Sequence, residues 1–463
     1  MPLPIPIGRQ KDVLYLPAYG HVAVLGTAGS GKTTLAILRS AYLADPATDH
    51  HGRTLLVTFN RALRAFIRHS QDRALASLDV ENYHHFARGY LASRNKLPNG
   101  SICSPQLRNA LMKGAITSIL GQNNAAALSN RRLEFFVEEI QWLEQHGIQS
   151  VETYVAAERI GRATSRVERT VRPLVYQIYE EYRARRGKTG RRYDWDDLAT
   201  AVRQELELDP LPRRYRHVVI DEGQDFSPEM IRSLVEAVPA DGSVTFFADV
   251  AQQIYGHRMS WRSSGLRITS PVEFKENYRN TKQIAQLALA VSDMPYYKDI
   301  PDLVEPRSPT ADGPRPVLVS CLSDESEIRL ITQQARGASS TQSVAILFRH
   351  HADGAELRRQ LPSAVNLVEE REGWHAGPGI HLGTFHAAKG LEFDTVIIPY
   401  FTAARFPDPL EIAIHGEEEA SVREGRLLYV GVTRARSNLI ITYTGIVSPL
   451  LPDSAALFQI ENA

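Results

Sequence analysis

The chain has 463 residues, 43% of them hydrophobic and 23% charged, enough for two or three soluble domains with full cores. Lys plus Arg and Asp plus Glu number 53 each, so net charge selects no partner and a surface for polyanions has to be local. Two cysteines, Cys103 and Cys321, exclude a Cys-only zinc or iron–sulfur site and suit a reducing compartment.

The first segment, MPLPIPIGRQ, lacks the charged and apolar blocks of a secretory signal, and no apolar run approaches the ~20 residues of a membrane span. The expected location is cytoplasmic, with no membrane partner. Next, HVAVLGTAGSGKTTLAILRSAYLA reads as a strand, a glycine loop and a helix starting at Lys32. Its Gly26–Thr33 stretch satisfies G-x-x-x-x-G-K-[ST] in the context this motif requires. Gly26, Gly29 and Gly31 let the backbone wrap phosphates, with Thr27, Ala28, Ser30 and Thr34 completing the loop and helix start. Lys32 would neutralise the β- and γ-phosphates, and the Thr33 hydroxyl would hold Mg²⁺. The alternative, a flexible Gly/Ser turn, does not explain the strand–loop–helix order.

RTLLVTFN (53–60) is a second strand candidate, followed by the helix-like RALRAFIRHS. From about 101 to 190 β-branched runs are scarce, and segments such as RRLEFFVEEIQWLEQHG place apolar residues at helical spacing. An all-helical insertion in an α/β domain is expected there. HVVIDEGQD and SVTFFADV then read as strands ending in acidic residues. A phosphate loop needs a further carboxylate for the metal and another for water. Asp221 is the candidate for the first role and Glu222 for the second. From about 276 a second α/β region holds RPVLVSCL, SVAILFRHH, GIHLGTFHAAKG, DTVIIPY and NLIITYTG as strand candidates, with SPTADGPRP as a loop. Strand–helix alternation in both regions predicts an α/β fold with parallel sheets covered on both faces.

The motifs GTAGSGKT, DEGQD, ADVAQQIYGHR, ENYRN, TFHAAKGLEF and LLYVGVTRAR, in this order, resemble those of the UvrD/Rep family of superfamily 1 DNA helicases. The resemblance runs from about residue 20 to 445. It implies two RecA-like P-loop domains with ATP between them: a first domain from 1–100 and 191–275, a helical 1B-like insertion at 101–190, and a second domain at 276–463.

The resemblance also implies roles. Gln252 would sense the γ-phosphate, Arg279 and Arg434 would be its cationic partners, Tyr278 would stack on adenine, and Glu392 would sit near the ribose. Gln10 is the candidate for an adenine-reading glutamine. Phe59, Asn60, Tyr83, His84, Tyr255, His257, Arg258 and His386 would line a single-strand path, where aromatic faces accept any base. Gln224 and Asp225 are expected to link the DEGQD segment to ADVAQQIYG.

The sequence departs from the family in four places. His257 stands where the family has tryptophan, and Gly223 where relatives often carry alanine or a larger residue. The stretch between Arg279 and Lys389 is too short to hold the large 2B domain, which is absent or vestigial. The segment after TRAR leaves little room for a strand-separating pin. The leading expectation is an ATP- and Mg²⁺-dependent 3′-to-5′ translocase and helicase on single-stranded or 3′-tailed DNA. A DNA-stimulated ATPase that unwinds only with a protein partner, such as a nuclease in repair or anti-phage defence, is the second reading. A nucleic-acid-binding scaffold without motor activity is the third.

Overall fold

The structure is a computed structural model and describes residues 10–26, 30–58, 77–123, 126–159, 167–249, 261–274, 280–295, 311–367 and 377–463. The first part of the chain runs β1 (Gly20–Gly26), α1 (Lys32–Ala44), β2 (Thr54–Val57), β3 (Leu78–Glu81) and α2 (Tyr83–Ser93). A helical stretch follows: α3 (Pro105–Leu120), α4 (Leu133–Gln145), α5 (Val151–Ala156), α6 (Arg172–Lys188) and α7 (Leu198–Leu208). The chain then returns through β4 (His217–Ile220), α8 (Pro228–Glu236), β5 (Ser243–Ala248) and β6 (Val272–Phe274).

These six strands form one sheet in the order β3-β2-β4-β5-β1-β6, and every pairing in it is parallel. Successive residues of a strand face opposite ways, so the buried runs sort onto two faces. Leu25, Val57, Val218 and Phe246 pack on one side, and Val24, Leu56, Val219 and Phe247 on the other. Helices cover both, which is why these strands read as continuous apolar runs rather than alternating ones.

The intervening helices have a core of their own, including Phe136, Ile140, Tyr154, Ile178 and Tyr182. It also holds a buried ion pair. Glu139 accepts hydrogen bonds from Tyr154 Oη at 2.6 Å and Arg159 Nε at 2.8 Å, which offsets the cost of burying the charge.

The second part comprises α9 (Lys282–Ser292), β7 (Val317–Cys321), α10 (Asp324–Ala338), β8 (Ser343–Phe348), β9 (Val365–Asn366), β10 (Gly379–Thr384) and β11 (Phe393–Ile398). It ends with α11 (Pro409–His415), α12 (Glu417–Thr433), β12 (Ala435–Thr444) and β13 (Gln459–Asn462). Its sheet is again parallel, in the order β13-β7-β12-β11-β8-β10-β9. Val396 and Ile398 bury against one helical layer, and Ile397 against the other. The fold is therefore α/β with two parallel sheets, each covered on both faces. No helix among the described residues is long and apolar enough to cross a membrane.

Candidate functional site

Strands β4, β5 and β1 are neighbours and end on the same edge of the first sheet. In open parallel sheets ligands settle outside this carboxyl edge. Each of the three strands delivers an ionisable group there. Lys32 opens α1, Asp221 follows β4 directly, and Asp249 follows β5 directly. Gly31 adopts φ 82°, the left-handed turn that lets the loop enter the helix. A side chain at Gly26 would come 2.7 Å from Ser30 Oγ and 3.1 Å from the Lys32 stem, so it would press on the side chains over which the loop closes. Lys32 Nζ donates to Gly26 O at 3.0 Å and lies 3.4 Å from Asp249 Oδ2.

Asp221 is 1% exposed. Its Oδ2 accepts from Thr58 Oγ1 at 3.3 Å, the Thr33 hydroxyl favours its charged form, and among the described residues Oδ1 has no partner. Burial, reinforced by the charge of Glu222, pushes it up to about 7. A buried carboxylate with an unsatisfied oxygen beside a threonine hydroxyl fits a hard divalent cation, which would take up that oxygen and hold the group ionised.

Glu222 follows in the left-handed region, φ 54° and ψ 40°, unusual for a residue with a side chain. It leads into a 3₁₀ turn, Gly223–Asp225, that fixes its neighbours. Gln224 Nε2 donates to Glu222 Oε2 at 2.6 Å, while its Oε1 accepts from the Asp249 backbone at 2.9 Å. A Cβ at Gly223 would overlap the Phe246 ring of β5, which accounts for the glycine.

The second half of the chain meets this turn directly. Lys389, just after β10, forms an ion pair with Asp225. Arg434 caps α12 at 1% exposure, donating to Val430 O at 3.1 Å and Leu391 O at 3.2 Å. Burial alone would raise Glu222, but the charges of Lys389, Lys32 and Arg434 outweigh it and hold the carboxyl below its ordinary range. Burial raises Asp225 to about 6 against the pull of Lys389.

A second constellation lies at the start of α2, where Asn82 Oδ1 caps the helix by accepting from His85 N at 2.8 Å. The cap sets His84 on the half-buried side, stacked on Trp195 with ring centres 5.1 Å apart and planes 10° from parallel. Trp195 is 36% exposed. His386 is pushed down to about 4 by burial and by the charges of Arg349, Lys389 and His350, so its ring is neutral at physiological pH.

The UvrD/REP helicase N-terminal domain family matches residues 9–270, more than half of the chain. The chain belongs to the UvrD/REP helicase family. The UvrD-like helicase C-terminal domain family matches residues 363–445 in addition. The ATP-dependent DNA helicase UvrD2 of Mycobacterium tuberculosis (strain ATCC 25618 / H37Rv) is 23% identical over 565 residues, covering 95% of this chain and 79% of that protein. The ATP-dependent DNA helicase UvrD1 of Mycobacterium leprae (strain TN) is 25% identical over 294 residues, 58% of this chain and 37% of that one. A shorter match, 42% identical over 67 residues, covers 14% of this chain and 10% of the DNA helicase II of Rickettsia typhi (strain ATCC VR-144 / Wilmington).

Of the residues that the sequence nominates, one edge of the first sheet gathers Gly26, Ser30, Gly31, Lys32, Thr33, Asp221 and Glu222, with Arg434 arriving from the second half. Thr34 lies in the first turn of α1. Glu392 pairs with Arg436 at 3.1 Å. Thr27, Ala28, Gly29, Phe59, Asn60, Gln252, Tyr255, His257, Arg258, Tyr278 and Arg279 lie outside the described residues, as does the side chain of Gln10.

Among the described residues nominated for the groove, Tyr83 is fully buried. It is 0% exposed, hydrogen-bonded to Ser233 Oγ at 2.7 Å and packed edge-on against Phe226. Position N1 of α2 turns its ring into the core, and His84, one residue on, faces outward instead. Gln224 makes the expected link to the ADV segment through Asp249, whereas Asp225 turns across to Lys389. Three residues were not singled out from sequence: Asp249, Lys389 and Trp195. Lys389 was visible in AAKGLEF and Trp195 in YDWDD, but only the folded chain shows what each one faces.

Proposed function

We propose that this UvrD/REP family member is an ATP-driven motor on single-stranded DNA, moving 3′ to 5′, with ATP hydrolysed between two RecA-like domains. The first would comprise 1–100 and 191–275, with 101–190 as a helical insertion, and the second 276–463. The observation that carries this reading is the convergence on Glu222 of cations from both halves of the chain, Lys32 from the first and Lys389 and Arg434 from the second. A group placed there makes hydrolysis depend on how the halves meet, which is what a motor requires.

Within this reading the glycine loop and Lys32 hold the triphosphate, and Thr33 and Asp221 hold Mg²⁺. Bound there, Mg²⁺ neutralises phosphate charge and polarises the bond to be broken. Glu222, ionised and fixed by Gln224, orients the attacking water and accepts its proton. Arg434 supplies positive charge as the phosphoryl group transfers. His84, Trp195 and His386 offer neutral or aromatic faces to unpaired bases.

A narrower reading, translocation without unwinding unless a partner protein joins, has its own support. The alignment to the M. tuberculosis relative spans 565 positions against a chain of 463, so that relative carries inserted residues which this chain lacks. The segment after Arg434 is also committed to β12 and β13 of the second sheet.

Unwinding assays on 3′-tailed and 5′-tailed duplexes, run beside DNA-stimulated ATP hydrolysis, test both readings. Unwinding of the 3′-tailed substrate alone is expected from the first, and stimulated hydrolysis without unwinding from the second. ATP hydrolysis indifferent to single-stranded DNA overturns the motor.

A further inference from the structure

Although the chain carries no net charge, residues 180–192 hold Arg183, Arg185, Arg186, Lys188, Arg191 and Arg192 against only Glu180 and Glu181. They lie on the last turns of α6 and the bend after it. Arg185 is neutralised by Glu181 at 2.7 Å. Arg186 is buried and holds Asp194 and Asp197 at 2.6 Å each, the two carboxylates that bracket Trp195. Among the described residues no carboxylate pairs with Arg183, Lys188, Arg191 or Arg192, all of them exposed or half-buried. Arg183 lies over the Tyr179 ring, 5.5 Å from its centre, and Arg191 is tied to Gly100 O. An open cleft of about 380 Å³ is lined by Arg183, Arg186, Arg191 and Arg192, with Glu180 as its only acid among the described residues.

We propose that this arginine cleft is a contact for the sugar–phosphate backbone of the single strand whose bases meet Trp195 and His84. The inference rests on the DNA-motor reading and adds a second, base-independent site to it. Two features select this occupant. Arg186 is spent on Asp194 and Asp197, but Arg183, Arg191 and Arg192 bring three guanidinium groups with no paired carboxylate among the described residues, a set that complements a polyphosphate. The cleft also neighbours the stacking pair in the chain: Arg192 is three residues from Trp195, within about 10 Å along the chain, and Arg186 both lines the cleft and, through Asp194 and Asp197, holds the turn that carries Trp195. An unpaired strand stacked on the ring carries its next phosphates past these arginines, whereas a duplex keeps its bases inside and leaves the pair unused.

The test is binding of fluorescent oligo(dT) to the full chain across a KCl series, comparing wild type with R183A/R192A. Arg186 and Arg191 are left intact because they hold the fold. Each lost phosphate contact on a single strand flattens the plot of log affinity against log salt by about 0.7, so a decrease of about 1.4 is expected. The unfolding temperature should be unchanged. R183K/R192K, which keeps the charges, should retain the wild-type slope.

An unchanged slope in the alanine variant overturns the cleft. So does a slope that flattens only on a blunt duplex, or one that the lysine variant also loses. A wild-type chain that binds no oligo(dT) overturns the motor reading along with the cleft, and is told apart from these outcomes by the wild-type curve alone.

Discussion

At the residue scale, Glu222 and Gly223 show opposite uses of strain. Glu222 holds a backbone conformation that costs about 1–3 kcal/mol for a residue with a side chain. The hydrogen bonds of Gln224 and the surrounding cations keep it there, aiming its carboxylate at the edge where β4 ends. Glu222→Gln should therefore abolish DNA-stimulated ATP hydrolysis while leaving nucleotide binding intact, measured by steady-state rates and by binding of a fluorescent nucleotide. Hydrolysis at the wild-type rate would remove Glu222 from the chemistry. Gly223 is set instead by contact, since the Phe246 ring occupies the space of a side chain. Gly223→Ala should lower stability by roughly 1–3 kcal/mol, the usual cost of overpacking, read from urea denaturation. A variant as stable as wild type would mean that Phe246 can shift freely.

At the element scale, β4 is the strand that places both carboxylates, and its first residue is a buried histidine. His217 shares a hydrogen bond with Ser243 Oγ at 2.8 Å and another with His50 O at 2.9 Å. Burial, helped by Arg216, His50 and Arg39, depresses it to about 4. The unfolded chain titrates near 6.5, so the neutral ring favours the fold. That contribution is complete above about pH 6.5 and is lost as the pH falls through about 4. His217→Gln should flatten the fall in stability between these values, followed by denaturation at a series of pH values. Parallel curves for the two proteins would show that another group governs the acid limb.

At the scale of the whole molecule, contacts between titratable side chains join the halves at two places among the described residues. Lys389 meets Asp225 at the cleft, and Glu138 of α4 meets His415 at 3.2 Å and Arg423 at 3.6 Å on α11 and α12. Both pairs of the second contact depend on one glutamate in the helical stretch, half-buried and far from the glycine loop in sequence. Lys389→Ala should reduce stimulated ATP hydrolysis with little change in nucleotide affinity, because it loosens the approach of the second half without touching the phosphate loop. A change confined to nucleotide affinity would place Lys389 in the binding site rather than in the coupling.

Much of this was legible in the one-dimensional chain. HVAVLG, HVVI, SVTFFA, SVAILF and DTVIIP are β-branched or aromatic runs bounded by turns and charges, and each contains a strand because such runs bury on both faces of a parallel sheet. The glycine loop and the DEGQD acids were legible for a similar reason, since their chemistry depends on short spacings that survive as motifs. The edge strands β6, β9 and β13 were not, being two to four residues long and, in β13, fully exposed, with no pattern to betray them. Nor could sequence tell Tyr83 from His84 as the outward ring, since that turns on where the Asn82 cap starts the helix. The residue types needed to cleave a triphosphate were thus fixed locally. Which cations converge on Glu222, why position 223 is glycine, and where arginines gather unpaired were decided only when distant segments packed together, because charge and contact act through space rather than along the chain.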